Sequence, residues 1–456
     1  MIIDKQEFLV LGLGRSGFSA AKFLAEKGGK VTAIDSAEED KLKVDLKVLR
    51  KLGVQVYTKD NAIRRLEGKN LVVVSPGIAT SHPIISGARR VGIPVIGELE
   101  LAYRFCRAEV IGVTGTNGKS TTTSLIGEIL QEASIKCKVA GNIGTPFSAV
   151  VAEDVKTVVI ELSSYQLEMV ETFNPQVAVW LNLTPDHLAR HTTMEAYGSA
   201  KARIFERQRE DETLVYNADD ERVAEYAREA PGRKMSFSQW DNAAVYVEDG
   251  VMKYDWQGNK GEIIRTEEIR IKGLHNLENS LAAAGAALAY GVKVEAIAAV
   301  LRKFPGIEHR QEYVTTINQV TYINDSKATN LDSTLKALET IDAPIILIAG
   351  GLGKGESYEP AASLVNEKVK TIIALGQAAQ QIIQELSAFT ETMYVRTMED
   401  ALKEAVKIAE PGDKVLLSPM CASFDMFDDF EHRGRVFKSI VMKMLDGGQW
   451  TVDGGR

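Results

Sequence analysis

The segment Thr114-Gly-Thr-Asn-Gly-Lys-Ser120, directly after the apolar run Glu109-Val-Ile-Gly-Val113, constrains this chain more than any other feature. An apolar strand ends in a glycine turn, and Lys and hydroxyl residues then open a helix. Glycines let backbone N–H groups close on phosphate oxygens, and a helix N-terminus adds partial positive charge. Lys119 would reach the terminal phosphates and Ser120 would ligate Mg²⁺. Gly115, Thr116, Asn117, Gly118 and Thr121 would complete a cradle for a nucleoside triphosphate such as ATP. Val113 occupies the place of the motif's first glycine, but the strand and helix around it favour a nucleoside triphosphate over a plain glycine turn.

At 456 residues the chain has room for about three domains of ordinary size. Its 45% apolar and 25% charged residues are those of a soluble globular protein. A net charge of −8 argues against a nucleic-acid or membrane-surface partner. No apolar stretch approaches the roughly 20 residues of a transmembrane helix, and the start of the chain reads as no signal peptide. Cys106, Cys137 and Cys421 are odd in number and far apart, which suits neither a disulfide framework nor a zinc cluster. The expectation is a reduced, cytoplasmic enzyme.

Short β-branched runs alternate with helical patterns, which predicts parallel sheets flanked by helices in three α/β blocks. The first runs through Phe8-Leu-Val-Leu-Gly12, Lys30–Asp35, Leu71–Ser75 and Pro94–Gly97. The second holds the phosphate loop, Thr157–Glu161 and Val177–Asn182, and ends near an Ala-rich helix at Ser280–Gly291. The third begins near Phe304, with strands at Gln319–Asn324, Pro344–Ala349, Lys370–Leu375 and Lys414–Ser418.

Ligands in open α/β sheets collect beyond the carboxyl ends of the strands. In the second block that rule brings the phosphate loop together with Glu161, His187 and Lys201. Each has a plainer reading, as a helix cap, a structural histidine, or a lysine whose stem snorkels to water. Lys201 shares a helical face with Tyr197, Ile204 and Phe205, which is an odd place for an ammonium. Glu and His beside a phosphate loop suit a divalent metal bridging phosphates. In the first block Gly12-Leu-Gly14-Arg-Ser-Gly17, with Asp35 at the end of the next strand, has the form of a dinucleotide fingerprint. It promises only a turn that can approach a pyrophosphate and an acid that can accept from a hydroxyl, and a UDP-sugar meets both as well as NAD does. In the third block Lys327, Lys354 and Ser423 follow strand ends, where they could bind a small acidic substrate or be simply solvated.

These residues resemble the ATP-dependent Mur ligases of peptidoglycan synthesis, in order along the whole chain. The resemblance rests on Gly-Thr-Asn-Gly-Lys-Ser, Glu161-Leu-Ser-Ser-Tyr-Gln-Leu-Glu168, Gly273-Leu-His-Asn-Leu-Glu-Asn279, Glu308-His-Arg310, Asn324-Asp-Ser-Lys-Ala-Thr-Asn330 and the Ser418–Gly434 segment. The second of these, the glycine-rich start and Cys421-Ala-Ser-Phe-Asp-Met-Phe427 resemble the D-glutamate-adding branch. Ala189 and Gly353 depart from the family pattern, each standing where an acidic residue is common.

The resemblance implies a Rossmann-like UDP-binding domain over 1–97, a central P-loop ATPase domain over 98–303 and a C-terminal Rossmann-like, amino-acid-binding domain over 304–456. It implies addition of D-glutamate to UDP-N-acetylmuramoyl-L-alanine through an acyl phosphate, with ATP, Mg²⁺ and a monomeric chain. Lys119, His187 and Lys201 resemble catalytic residues. Ser120, Glu161 and His187 resemble metal ligands, with Lys201 carbamylated by CO₂ as another. Asn276, Asn279, His309, Arg310 and Asp325 resemble nucleotide contacts, and Gly14, Arg15, Ser16, Asp35, Ser36, Ser75 and Asn142 a UDP-substrate site. Lys327, Thr329, Lys354, Ser423 and Phe430 resemble a D-glutamate site. Another Mur ligase or a folate polyglutamate ligase would keep the phosphate loop and change the acceptor segments. An NAD-dependent oxidoreductase would use the first block instead, and a non-catalytic nucleotide switch would hydrolyse ATP without substrate.

Overall fold

The computed structural model describes residues 2–42, 44–60, 63–142, 144–240, 243–353 and 355–445. Lys354 therefore lies outside the described residues, as does the side chain of Ala189. The fold is α/β, built on three sheets in two compact units: residues 1–270 with 276–304, and residues 271–275 with 305–456.

The larger unit holds two sheets. The first contains β1 (Glu7–Leu11), β2 (Lys30–Ile34), β3 (Gln55–Tyr57), β4 (Leu71–Val74) and β5 (Val95–Gly97). Its order is β3-β2-β1-β4-β5, parallel throughout. Chain order reverses between β1 and β4, so the loops after these two strands line the crevice where ligands gather.

The second sheet contains β6 (Glu109–Thr114), β7 (Cys137–Gly141), β8 (Thr157–Glu161), β9 (Val177–Trp180), β10 (Thr213–Asn217), β11 (Arg233–Ser238), β12 (Val245–Glu248), β13 (Val251–Trp256) and β14 (Asn259–Arg265). β6 lies between β8 and β9, parallel to both. All of β8 and β9 is buried, which is why they read as unbroken apolar runs rather than alternating ones.

The smaller unit holds β15 (Glu312–Ile317), β16 (Val320–Asn324), β17 (Ile345–Gly350), β18 (Val369–Leu375), β19 (Glu391–Tyr394) and β20 (Lys414–Leu417). In the order β15-β16-β20-β17-β18-β19, the neighbours β16, β20 and β17 carry the Asp325, Ser418 and Gly350 loops on one edge.

The expectation of parallel sheets fails at two margins. β12–β14 form an antiparallel extension of the second sheet, and β15 pairs antiparallel with β16. Each hairpin turns on two residues of positive φ: Asp249-Gly250, Gln257-Gly258 and Asn318-Gln319. That backbone is the type I′ turn, whose twist matches the strands it joins. The Asp-Gly pair was a legible hairpin signal.

Candidate active site

The phosphate loop joins β6 to the helix Lys119–Glu132. Gly118 caps that helix at φ +82°, and a Cβ there would run into the amide oxygen of Asn279. Only glycine fits, because the helix Leu274–Tyr290 brings Asn279 against the loop, where it accepts from Thr122 Oγ1 at 3.3 Å. Asn276 accepts in turn from the Asn279 amide at 3.3 Å. From the end of β9, Asn182 braces the loop, its Oδ1 accepting from the N–H groups of Thr116 and Asn117 at 3.1 and 2.8 Å. Sequence reading passed over Asn182, although its position after a strand next to β6 was a usable signal.

Around this loop the structure gathers the residues expected from the second block. Ser120 donates to Glu161 Oε2 at 2.6 Å, and Asn142 Nδ2 donates to Glu161 Oε1 at 2.8 Å. Asn142, expected at the UDP-substrate site, thus stands on the phosphate-loop edge. Lys119 Nζ curls back on the carbonyls of Gly115 and Thr116, at 2.8 and 2.6 Å. Lys201 Nζ donates to the same Gly115 carbonyl at 2.7 Å and lies 4.6 Å from the centre of the Tyr197 ring.

Lys201 is 1% exposed, so the snorkelling reading is wrong: the helix Met194–Ala202 packs its lysine inward. Burial, and then the charge of Lys119, hold the Lys201 amine well below the ordinary lysine range, against the opposing pull of Asp186 and Glu161. His187 sits on the same edge at φ +55°, its side chain 42% exposed. Its ring packs 5.0 Å from Tyr165 and 6.3 Å from Tyr197, and Nε2 is 3.5 Å from Asp186.

The serine hydroxyl and the carboxylate are oxygen donors of the kind a hard divalent cation takes, with the imidazole on the same edge as a further donor. Thr121 Oγ1, one residue on from Ser120, is buried with no hydrogen-bond partner among the described residues. These residues fit a phosphate-bound Mg²⁺.

At the first sheet the Asp35 carboxylate is tied to the glycine loop. It accepts from Leu13 N at 2.6 Å and from Ala37 N at 2.8 Å, and each oxygen keeps a lone pair for a ligand hydroxyl. Gly14, Arg15 and Ser36 are exposed, Ser16 is partly so, and Ser75 is buried. A Cβ on Gly14 would come within 3.8 Å of Ser75 Oγ, so the two loops of the crevice adjoin.

The smaller unit has its own cluster. Asp325 accepts from Ser418 Oγ at 2.8 Å and from Gln311 N at 3.1 Å, and burial pushes its carboxyl up to about 7. Lys327 Nζ lies 4.9 Å from the centre of the Phe430 ring, and the Lys327 amide donates to the His309 carbonyl at 2.9 Å. His309 is buried edge-on to Phe430, with Nδ1 2.9 Å from the Asn324 amide. Arg310 is partly buried beside it. Ser423 is buried, and its carbonyl accepts from Met426 and Phe427, while Thr329 N donates to the Lys327 carbonyl.

Arg433, unremarked in the sequence, is 2% exposed and donates to the carbonyls of Ser326 and Cys421 at 2.9 and 3.1 Å. It thereby ties the loop after β16 to the loop after β20. Glu308, His309 and Glu312 bring ligand atoms within 4.8 Å of one another. Lys438 donates to both carboxylates at 2.7 Å, so an ammonium already balances that cluster.

Three stretches match family descriptions: residues 6–97 the Mur ligase MurD-like N-terminal domain, 113–287 the Mur ligase middle domain, and 309–421 the Mur ligase glutamate ligase domain. A protein of Koribacter versatilis named UDP-N-acetylmuramoylalanine--D-glutamate ligase is 44% identical over 98% of this chain and 99% of its own. A protein of Caldicellulosiruptor bescii with the same name is 43% identical over 98% and 100%. Among solved structures, UDP-N-acetylmuramate-alanine ligase MurC from Thermotoga maritima aligns at a TM-score of 0.62 and 18% identity, covering 97% of this chain and 99% of that one. MurF from Acinetobacter baumannii aligns at 0.60 and 19%, covering 97% and 91%. At those identities the two structures speak for the fold alone.

Proposed function

The chain belongs to the Mur ligase family, and on that premise we propose that it joins D-glutamate to UDP-N-acetylmuramoyl-L-alanine. It is an ATP-dependent, amide-forming ligase of peptidoglycan precursor synthesis. In our reading the UDP-substrate binds within 1–97, ATP within 98–303 and D-glutamate within 304–456. The observation that carries the chemistry is the set of polar groups at the end of β6: two lysines on the Gly115 carbonyl beside a Ser120–Glu161 pair.

A carboxylate is a poor electrophile, so its oxygen first attacks the γ-phosphorus of ATP in line. The bond to ADP breaks and an acyl phosphate forms. Lys119 leaves its loop carbonyls to neutralise charge on the transferring group, in a reaction where positioning and electrostatics are most of the catalysis. Ser120, Glu161 and His187 would hold Mg²⁺, which would supply further neutralisation of phosphate charge. The D-glutamate amine then attacks the acyl carbon, phosphate leaves, and the amine proton passes to a base, for which His187 and Asp186 are the candidates. Lys327, Thr329, Lys354, Ser423 and Phe430 receive the amino acid; Gly14, Arg15, Ser16, Asp35, Ser36, Ser75 and Asn142 the UDP-sugar.

Lys201 acts in this reading as a carbamate. Its neutral amine attacks CO₂, a C–N bond forms, and an N–H proton leaves to solvent. The anion relieves the meeting of two cations at Gly115 and adds an oxygen donor beside Glu161.

No helix among the described residues is long and apolar enough to cross a membrane. Nucleotide substrates and three free cysteines suit a cytoplasmic enzyme, and in our reading it acts as a monomer. The deciding experiment is phosphate release from ATP with UDP-N-acetylmuramoyl-L-alanine, with and without D-glutamate. L-glutamate and meso-diaminopimelate serve as rival acceptors. Release that needs both substrates and ignores the rivals is expected, and release indifferent to D-glutamate would sink the proposal.

A further inference from the structure

One side chain between the first two sheets has no part in the chemistry above. Arg190 lies in the short helix Leu188–His191 that follows His187, with its side chain 15% exposed. Its guanidinium donates from Nη1 to the Pro76 carbonyl at 2.9 Å and from Nη2 to the Ile78 carbonyl at 3.0 Å. The same group meets Glu168, Nη2 to Oε2 at 2.6 Å and Nε to Oε1 at 3.3 Å, and lies 4.2 Å from the centre of the Tyr165 ring.

Pro76 and Ile78 follow Ser75 in the loop after β4, while Tyr165 and Glu168 follow Glu161 in the loop after β8. One planar cation therefore clamps three strand-end loops drawn from two sheets. Glu168 is braced from its other side by His191, whose Nδ1 is 3.4 Å from Oε1 and whose Nε2 is 2.9 Å from Ser164 Oγ. Burial favours the neutral ring, which can donate to Glu168 and accept from Ser164 at once.

We propose that Arg190 is a positioning residue that fixes the Ser75 loop to the Glu161 and His187 loops, so that a carboxylate bound at the first sheet is presented in line to the γ-phosphate. Only a planar fork can serve two carbonyls and a carboxylate together; a lysine is a point charge and would keep the Glu168 pair while releasing the carbonyls. This inference rests on the substrate assignment made above.

The test is steady-state kinetics of the full chain and of Arg190→Lys and Arg190→Ala, with thermal melting of each. Misplacement of the substrate loop should raise KM for UDP-N-acetylmuramoyl-L-alanine and lower kcat, each by about tenfold. KM for ATP should stay within about twofold, because the phosphate loop is not held by Arg190. Arg190→Lys should melt within a few degrees of the parent chain. An unchanged KM for the UDP-substrate, an equal rise in KM for ATP, or activity lost only in step with melting would each overturn the inference. If the parent chain itself does not turn over the UDP-substrate, the substrate assignment has failed, and the inference falls with it.

Discussion

Lys119 and Lys201 donate to one and the same acceptor, the carbonyl oxygen of Gly115, at 2.8 and 2.7 Å. Two full ammonium charges at one carbonyl, one of them buried, would repel each other in a setting that screens poorly. The arrangement relaxes if Lys119 turns to a phosphate, if Lys201 gives up its proton, or both.

Lys201→Ala should be nearly inactive and partly recovered by a small added carboxylate, which would stand in for the carbamate. Lys201→Arg keeps the positive charge and should stay inactive with or without the additive. Assays of both variants across carboxylate concentration decide the matter. Most activity surviving in Lys201→Arg would exclude the carbamate.

Lys119→Ala should slow phosphoryl transfer by about 10²-fold or more, the cost of losing a charge clamp on the transferring group. The fold should survive, because the Lys119 head rests on the loop's own carbonyls rather than in the core. Circular dichroism together with phosphate release checks both halves. Near-normal turnover would refute the phosphate-loop assignment.

NAD should not bind measurably, despite the Gly12–Gly17 loop and Asp35. UDP-N-acetylmuramoyl-L-alanine should instead protect the first sheet from limited proteolysis. Calorimetric titration of NAD in the micromolar range is the outcome that would reverse this assignment.

Asp325 gives a pH signature. Its carboxyl, at about 7 when folded against an ordinary 3.8, holds a proton that the unfolded chain releases first. Stability from this group is therefore full below the ordinary value and is lost as pH rises through about 7. Ser418 and the charges of Arg310 and Arg433 oppose the upward push of burial without cancelling it. Asp325→Asn keeps the site's shape and removes the titration. Its melting temperature should fall less than that of the parent chain between about pH 5 and pH 8. Equal falls would mean that Asp325 does not titrate in that window.

What the sequence determined by itself is local and periodic. The strand-to-helix loop at Gly115–Ser120 was legible because glycine, lysine and hydroxyl residues in that spacing have little else to do after an apolar strand. The strands of all three sheets that carry the site were legible as buried, β-branched runs, and their carboxyl ends led to Glu161, His187, Lys327 and Ser423. The antiparallel margins were missed because half-exposed strands such as Val245–Glu248 lack that signature, although Asp249-Gly250 marked one turn.

Only the tertiary structure decided that Lys201 is buried rather than snorkelling, since that depends on which helical face meets the phosphate loop. It brought Lys201 to Gly115 across 86 residues of chain, and Arg190 to Pro76 across 114. Such contacts carry no local pattern: a guanidinium on a carbonyl leaves no periodicity behind, because the acceptor is backbone and could belong to any residue. For that reason the catalytic groups could be read in part from the sequence, while the groups that hold them in place emerged only from the packing.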